Sequence, residues 1–569
     1  MRSLVPLLLL CAAVSHAEGL TAIVGGTVVD GLGNPPFQAT VLIRGEKIAA
    51  VGPEVRIPPG ARVVQAEGKT LLPGLFDLHT HLRAASVDWG KTLKAYLLNG
   101  VTSVVDFATY PEEYEPMRRL WAGGKIAGPR IALAARITTP GGHGAEAGRS
   151  DVFSLEVLTP REARAAVRRV LPYQPDVIKV FTDGWRYDLA GDMTSMGEDT
   201  LAAIVEEAHK SGIEVLTHTV TLKRAKMAAR AGVDVIAHGI GDSMADKELI
   251  SLMTAKRTVY APTLAVYEPR GATASQPERR RRWENLTANV AALKAGGQTF
   301  AVGTDAGMPG TPHGVSTLHE LELLVRGGLT PVEAIAAATG NGARALGVFA
   351  ERGSVSEGKL ADLLLVDGTP HTAIEDIRRT NRVFLSGREL DLDSLRRRIA
   401  DKQLTPIPAT QAAGRIDDFE RPDGRSSVDT LWINATDAGH DRSRMSFTRT
   451  LRGHGNRALS MIAHMAEKER PFARVTVPLS RGGVEPVDAS RFRGVSFDAR
   501  GEGEYKFVAA EYGFRESSVP FSADANWKAF RIAFAQIEAK TDALLSLSFE
   551  MARRPGASGW LELDNVRFY

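Results

Sequence analysis

The chain has 569 residues, several times the usual size of one domain, so two or three domains are expected. Hydrophobic residues make up 44% and charged residues 24%, which is typical of a folded globular protein and excludes disorder and fibrous repeats. Lys and Arg number 70 against 67 Asp and Glu, without a long basic run, so we expect no nucleic-acid partner.

The N-terminus has the pattern of a secretory signal peptide, although a buried first strand is the alternative. Arg2 precedes an apolar run over 4–14, and Ser15-His16-Ala17 ends in the small residues of a cleavage site. The run is too short to span a membrane. We predict a signal peptide over 1–17, cleaved near Ala17, and a secreted or periplasmic mature protein. The single cysteine, Cys11, lies within this segment, so the mature chain has no disulfide and no thiolate ligand.

Short strands separated by Gly and Pro are predicted over 18–72, where they begin a β-sandwich. Apolar runs then alternate with amphipathic stretches over 73–350. This region contains eight candidate strands, near residues 75–79, 101–106, 130–135, 176–181, 213–218, 234–238, 258–262 and 299–304. Eight strands with intervening helices predict an α/β fold, a (β/α)₈ TIM barrel. A doubly wound open sheet is the alternative, but no Gly-rich dinucleotide loop follows the first strand.

The chain returns to short strands after the barrel. Residues 351–403 contain further strands and a charged helix, and we expect these strands to pair with those of 18–72 in a composite β-sandwich. The segment 404–414 is rich in Pro, Ala and Thr and is typical of a linker. Residues 415–569 alternate polar and apolar side chains and predict a separate all-β domain.

Six polar residues fall at the predicted carboxyl ends of barrel strands: His79, His81, Lys179, His218, His238 and Asp305. Because a strand has a period of two, His79 and His81 project from one face and can bind one metal ion. Each residue alone has a structural explanation, such as a snorkelling lysine, a core histidine or a helix-capping aspartate. Their shared position, where barrel active sites form, favours a metal-dependent site.

The residue types indicate what chemistry such a site could perform. Without thiolates, a divalent ion would take imidazole and carboxylate ligands. Burial disfavours the charged form of Lys179, and its neutral amine could add CO₂ to become an anionic carbamate that bridges two metals. Two ions can share a hydroxide and polarise a carbonyl. Asp305 could then take the proton of the hydroxide and deliver it to a leaving nitrogen.

Four sequence motifs resemble those of a known family. They are Leu72-Pro73-Gly74 before His79-Thr80-His81, Gly303-Thr304-Asp305-Ala306-Gly307, Gly328-Leu329-Thr330-Pro331-Val332-Glu333-Ala334 and Gly358-Lys359-Leu360-Ala361-Asp362-Leu363. From residue 20 to about 390 the chain resembles the amidohydrolase superfamily, closest to its imidazolonepropionase-like and Xaa-Pro dipeptidase-like branch. The resemblance implies a hydrolase with two divalent metal ions, for which zinc is the expected metal. It implies one ion held by His79, His81, Lys179 and Asp305, and a second held by carboxylated Lys179, His218 and His238.

Further residues are candidates for substrate binding. The resemblance implies that His143, within Gly141-Gly142-His143-Gly144, meets the carbonyl or carboxylate of the substrate; a glycine loop with an incidental histidine is the alternative. Members that cleave dipeptides often carry a tyrosine after the fifth-strand histidine, where this chain has Thr219. That difference leaves Tyr187, Tyr260 or His143 as the donor to the oxyanion.

The last segment resembles a second family, the complex I intermediate-associated protein 30 type of galactose-binding-like jelly roll. The resemblance is carried by Ile416-Asp417-Asp418-Phe419-Glu420, Trp432, Trp527-Lys528-Ala529-Phe530 and Leu561-Glu562-Leu563-Asp564-Asn565-Val566. It implies a structural role, a protein contact or glycan binding.

Together these features predict an exported binuclear amidohydrolase that cleaves an amide or peptide-like C–N bond in a small-molecule substrate. A dipeptide or an N-acyl amino acid is the expected class of substrate. A lactonase or phosphotriesterase-type hydrolase is one alternative, because the same hydroxide attacks those centres. A glycan-docked binding protein is the other, although such relatives usually lose metal ligands and none of the six is missing here.

Overall fold

A computed structural model describes residues 19–82, 88–145, 153–184, 194–439, 441–453 and 455–569. The predicted signal peptide and Tyr187 lie outside these residues. Within them, every helix is too short or too polar to cross a bilayer.

The chain begins with five short strands: β1 (Leu20–Val28), β2 (Phe37–Arg44), β3 (Lys47–Gly52), β4 (Arg62–Gln65) and β5 (Lys69–Pro73). β1 lies at the centre of this group and pairs antiparallel with β2 and parallel with both β4 and β5. β4 pairs with residues 21–24 of β1 and β5 with residues 27–28, and the register of the pair with β2 shifts between Ile23 and Gly26.

The barrel strands follow: β6 (Leu75–Thr80), β7 (Val101–Asp106), β8 (Arg130–Thr138), β9 (Leu155–Glu156), β10 (Val177–Phe181), β11 (Glu214–His218), β12 (Val235–Ala237) and β13 (Val259–Ala261). They pair in parallel in the order β13, β12, β11, β10, β8, β7, β6, with the short β9 beside β8. Along β10, Ile178 and Val180 pack towards the helices, whereas Val177 and Lys179 face the barrel interior. The predicted TIM-barrel fold is confirmed.

The predicted eighth strand, near 299–304, is less regular than the others. It closes the barrel through isolated bridges, from Tyr260 to Phe300 and from Thr80 to Ala306. Backbone hydrogen bonds reinforce the closure, since Leu78 N donates to Val302 O at 2.8 Å. The last strand position is therefore filled by an extended segment between β13 and β6.

Helices surround the barrel and continue beyond it: α1 (Trp89–Leu98), α2 (Pro111–Ala122), α3 (Pro160–Val170), α4 (Glu198–His209), α5 (Leu222–Ala231), α6 (Lys247–Lys256), α7 (Leu264–Tyr267), α8 (Pro277–Ala295), α9 (Val315–Arg326), α10 (Pro331–Ala337), α11 (Gly340–Ala345) and α12 (Leu392–Ala400). Local sequence sets several of these helix starts. Thr159 and Thr330 cap α3 and α10, each with a reciprocal glutamate three residues later and a proline in the first turn.

The predicted return of the chain to its first strands is observed. β14 (Leu363–Asp367), β15 (Thr380–Leu385) and β16 (Arg388–Glu389) extend the N-terminal group through the antiparallel pair of β14 with β5. The eight flanking strands form one continuous sheet with its own apolar cluster.

The remaining strands are β17 (Thr410–Gln411), β18 (Arg415–Asp417), β19 (Ile433–Thr436), β20 (Arg444–Gly453), β21 (Asn456–His464), β22 (Phe472–Pro478), β23 (Val487–Asp488), β24 (Gly494–Gly501), β25 (Gly503–Glu511), β26 (Glu516–Ala523), β27 (Lys528–Ala533), β28 (Leu544–Ala552) and β29 (Ser558–Phe568). They form a seven-stranded and a six-stranded sheet. Phe497 of one sheet and Phe549 of the other meet edge to face at 4.9 Å in a shared apolar cluster. The predicted all-β character of the C-terminal region is confirmed.

The segment between barrel and C-terminal sheets is docked on both. Thr405 N donates to Asp88 Oδ2 at 2.7 Å beside α1, and Tyr512 of the C-terminal region donates to Thr405 O at 2.6 Å. Ile407 is buried in the main apolar cluster of the barrel. This connection therefore holds the C-terminal region against the barrel.

Candidate active site

The six predicted residues meet in one cavity. It has a volume of about 750 Å³ and opens at the carboxyl ends of the barrel strands, and its walls include all six and His143. The strand period and the shared direction of parallel strands explain the convergence, because each strand delivers its last inward-facing side chain to the same end of the barrel.

His79, His81 and Asp305 form the first cluster. Nε2 of His81 lies 2.8 Å from Asp305 Oδ1, and Nε2 of His79 lies 3.4 Å from the same oxygen. Donor atoms of His79, His238 and Asp305 all lie within 4.8 Å of one another. Two imidazoles and a carboxylate that converge in this way can bind a divalent ion.

His218 and His238 lie next to this cluster. The ring centroid of His238 is 4.5 Å from that of His79 and 4.5 Å from that of His218. Nδ1 of His238 is hydrogen-bonded to the Thr263 hydroxyl at 2.9 Å, so Nε2 is the nitrogen available to a metal. This contact to a neighbouring strand end fixes the orientation of the ring.

Lys179 is buried in the barrel, with 2% of its surface exposed, and does not reach solvent as a snorkelling lysine would. Its Nζ has no hydrogen-bond partner among the described residues and lies 4.5 Å from the centre of the Phe107 ring. Burial lowers the pKa of Lys179 well below its usual range. A buried amine without partners fits a lysine that becomes an anionic ligand, and the six side chains together fit a metal site.

The electrostatics favour metal binding over protonation. Burial, and then the neighbouring Lys179, lower the pKa values of His79 and His238 well below 6.5, so both imidazoles are neutral at neutral pH and could act as ligands. Burial alone would raise the pKa of Asp305, but the hydrogen bond and the electrostatic interaction with His81 hold it below its usual range. Asp305 is therefore a carboxylate.

Two of these strand-end residues have unusual backbone conformations. His238 and Asp305 have φ angles of 75° and 60°, in the left-handed region that side chains other than glycine seldom adopt. Asp77 holds the ends together: its carboxylate accepts from His79 N, from Thr304 N and from the Thr304 and Thr317 hydroxyls. The first and last barrel strands are thereby clamped beside the histidines.

His143 reaches the cavity from the loop after β8. Its ring centroid is 4.3 Å from that of His218 and 5.1 Å from that of Phe181. The Thr138 hydroxyl donates to His143 O at 2.6 Å. His143 therefore lies close to the six strand-end side chains.

Tyr260 does not line the cavity, so the prediction that it contacts substrate is wrong. Its side chain is buried in the apolar cluster between strands and helices, and its hydroxyl accepts from Ile240 N at 3.0 Å. The neighbours Val259 and Ala261 face the barrel interior, so the strand period turns Tyr260 outwards.

The cavity also contains residues that the sequence analysis did not anticipate, among them Tyr267 and Arg136. Tyr267, at the end of α7, has its ring perpendicular to that of His238 at 5.8 Å. Arg136, on β8, is buried and lies over the Phe153 ring at 4.2 Å. Arg136 could have been found from the sequence, because it is a charged residue within the apolar run Ala134-Ala135-Arg136-Ile137, as Lys179 is within its own strand. Tyr267 lies outside the strands, so the alternation of side chains along a strand does not predict its position.

Comparison with known proteins agrees with this geometry. The profile of the Amidohydrolase family matches residues 70–390. An ochratoxinase of Aspergillus niger is 30% identical over 429 residues, which cover 65% of this chain and 85% of that protein. An imidazolonepropionase of Cereibacter sphaeroides is 27% identical over 384 residues, which cover 60% of this chain and 90% of that protein.

A solved structure shares the fold. The crystal structure of a prolidase-like protein of Bifidobacterium longum superposes with a TM-score of 0.58 at 28% identity, covering 68% of this chain and 100% of that one. The family match spans more than half of the chain and includes the strands that carry the cavity residues. The chain therefore belongs to the amidohydrolase family and is a hydrolase that acts on carbon–nitrogen bonds.

Proposed function

We propose that this protein is an exported binuclear metal-dependent amidohydrolase that cleaves the amide or peptide-like bond of a dipeptide or an N-acyl amino acid. The observation that carries the proposal is the convergence of His79, His81, Lys179, His218, His238 and Asp305 on one cavity. The related ochratoxinase and the prolidase-like structure support this choice of bond.

The donor set divides between two divalent ions, with zinc as the expected metal. His79, His81, Lys179 and Asp305 would hold one ion, and Lys179, as a carbamate, would hold the second with His218 and His238. Two bound ions lower the pKa of water to near neutrality and polarise a carbonyl. The neutral imidazoles and the buried lysine amine are suited to this role, because none has to lose a proton to a competing base at neutral pH.

Asp305 moves the proton in this proposal. Its Oδ1 faces the cavity beside His79 and His81, where it can accept a proton from the attacking water and transfer it to the leaving nitrogen. Nε2 of His81 lies 2.8 Å from Oδ1 of Asp305, so the two donor atoms are close enough to bind the same ion.

Two side chains are placed to bind the scissile carbonyl or a terminal carboxylate. His143 lies against His218, and Tyr267 lies against His238, on two sides of the cavity. Tyr267 replaces Tyr260 in the expected role of oxyanion donor, because its ring borders the cavity.

We further propose that export follows cleavage near Ala17. The C-terminal pair of sheets would be a jelly roll of the galactose-binding type over 415–569, whose contact is a protein or a glycan. The domain boundaries at 18–72, 73–350, 351–403 and 404–414 belong to the same proposal.

A substrate screen tests the activity. Full-length mature protein, prepared with bicarbonate and zinc, is assayed with dipeptides, N-acyl amino acids, lactones and phosphotriesters. We expect hydrolysis of the first two classes, lost in His79→Ala and retained in His464→Ala, which removes an exposed imidazole from the C-terminal sheet. Turnover of lactones or phosphotriesters alone would contradict the proposed substrate class. Equal activity in both variants would contradict the site.

A further inference from the structure

The C-terminal β region contacts the loop that carries His143. Arg442, between β19 and β20, donates from Nη1 to the carbonyl of Ala145, and its Nη2 lies 3.4 Å from Glu156 Oε1 beside β8. Ala145 is two residues beyond His143 in the loop 141–145. A side chain from outside the barrel thus reaches the edge of the cavity.

The loop 141–145 is held from two directions. On the barrel side, Arg136 Nη2 donates to Gly144 O at 3.5 Å, and on the other side Arg442 binds the next carbonyl, that of Ala145. Gly144 has a φ of 93°, and a Cβ there would lie 2.8 Å from the Phe181 ring. The loop therefore packs tightly on the barrel, and its outer carbonyl depends on the C-terminal region.

A second set of contacts between the C-terminal β region and the barrel, near α2, helps to hold Arg442 in position. Glu112 of α2, with 3% of its side chain exposed, receives two hydrogen bonds from the Arg425 guanidinium at 3.0 and 2.7 Å. Tyr110 donates to Gly482 O at 3.2 Å in the same region. A bidentate, buried ion pair of this kind holds two surfaces in one orientation.

We propose that Arg442 is a positioning residue for His143, so that the C-terminal β region is a structural component of the hydrolytic site. Arg442 anchors the carbonyl of Ala145, and the anchored loop holds the His143 ring at 4.3 Å from that of His218. This inference rests on the proposed role of His143 in binding substrate. It assigns the C-terminal region a function in catalysis that is separate from any glycan or protein contact.

The test compares Arg442→Ala with Arg119→Ala in the full-length protein. Arg119 is the matched control. It also pairs with a side chain of the C-terminal β region, that of Glu485, but it does so from the exposed end of α2, away from the His143 loop. Hydrogen–deuterium exchange of the peptide 139–145 should become about tenfold faster in Arg442→Ala, since a charge-assisted hydrogen bond is lost, and should stay unchanged in Arg119→Ala. Arg442→Lys should restore some of the protection.

Kinetics supply the second measurement. Arg442→Ala should lower kcat/KM by about ten- to a hundredfold, the effect of a small displacement of a binding group. In a His143→Ala background the same substitution should cause no further loss, because Arg442 acts through His143.

Unchanged exchange in Arg442→Ala, or an equal kinetic loss with and without His143, would overturn the proposal. If the protein hydrolyses none of the screened substrates, the exchange measurement still decides the positioning role. That outcome would count against the proposed function alone.

Discussion

Replacement of Asp305 by asparagine separates proton transfer from the other roles of this residue. Asp305 has a φ of 60°, and asparagine adopts this left-handed conformation far more readily than alanine does. Asp305→Asn therefore keeps the backbone and the size of the side chain. It also keeps one oxygen at the position of Oδ1, which lies 2.8 Å from Nε2 of His81. What it removes is a base, because an amide does not accept a proton at neutral pH.

The expected loss of turnover follows from the usual contribution of a positioned general base to catalysis. Such a group contributes about 10²–10⁴-fold to turnover, which corresponds to about 3–5 kcal/mol of activation free energy. The assay is kcat on the best amide substrate, together with zinc content and Tm. We expect kcat to fall by that factor while Tm changes little and most of the metal is retained.

Asp246→Asn is the matched control, because Asp246 caps α6 by accepting from Leu249 N and makes no contact with the cavity. Its turnover should equal that of the wild type. Wild-type turnover in Asp305→Asn would refute the proton-transfer role. Loss of both metal ions in that variant would instead show that ligation is the main role of Asp305.

Three further perturbations follow from the structure. Lys179→Ala should lose at least one metal ion and most of its activity, and short carboxylates should restore part of that activity. Metal analysis checks the first loss, and full activity in the variant would show that the mechanism does not need the carbamate. Burial lowers the pKa of His313 from 6.5 to about 4, so stability present above pH 6.5 should be lost as pH falls towards 4, by at most about 3 kcal/mol. Its Nδ1 is hydrogen-bonded to the Tyr96 hydroxyl, and urea unfolding of His313→Gln should show a flatter dependence of stability on pH than the wild type. An equally steep dependence in the variant would contradict the assignment to His313. Arg425→Ala should destabilise the protein by about 3 kcal/mol in the same assay, because it deprives the buried Glu112 of its bidentate partner, and an unchanged midpoint would mean that the interface contributes little.

The barrel and the convergence of its strand-end side chains were predictable because local sequence determines them. An apolar β-rich run that ends in a polar residue specifies both a strand and the place of its last side chain, and parallel strands bring those ends together. His218 and His238 were found in this way. The same period-two rule, applied to Val259-Tyr260-Ala261, would have turned Tyr260 away from the cavity.

Other features of the site depend on contacts between distant segments. Tyr267 reaches the cavity because Glu320 of α9 accepts from Leu264 N and Ala265 N and thereby holds α7 against the barrel end. Arg442 reaches the His143 loop only because the C-terminal sheets dock on α2. No periodicity or spacing in the sequence encodes either approach, so structure was needed to find them.

We propose above that the cavity binds two divalent ions through the six strand-end side chains. Its most direct test is the metal content of full-length mature protein prepared with zinc and bicarbonate, measured by mass spectrometry beside His79→Ala and His218→Ala variants. We predict about two ions per chain in the wild type and about one in each variant, because the two histidines serve different ions. One ion or none in the wild type, or two in both variants, would contradict the claim.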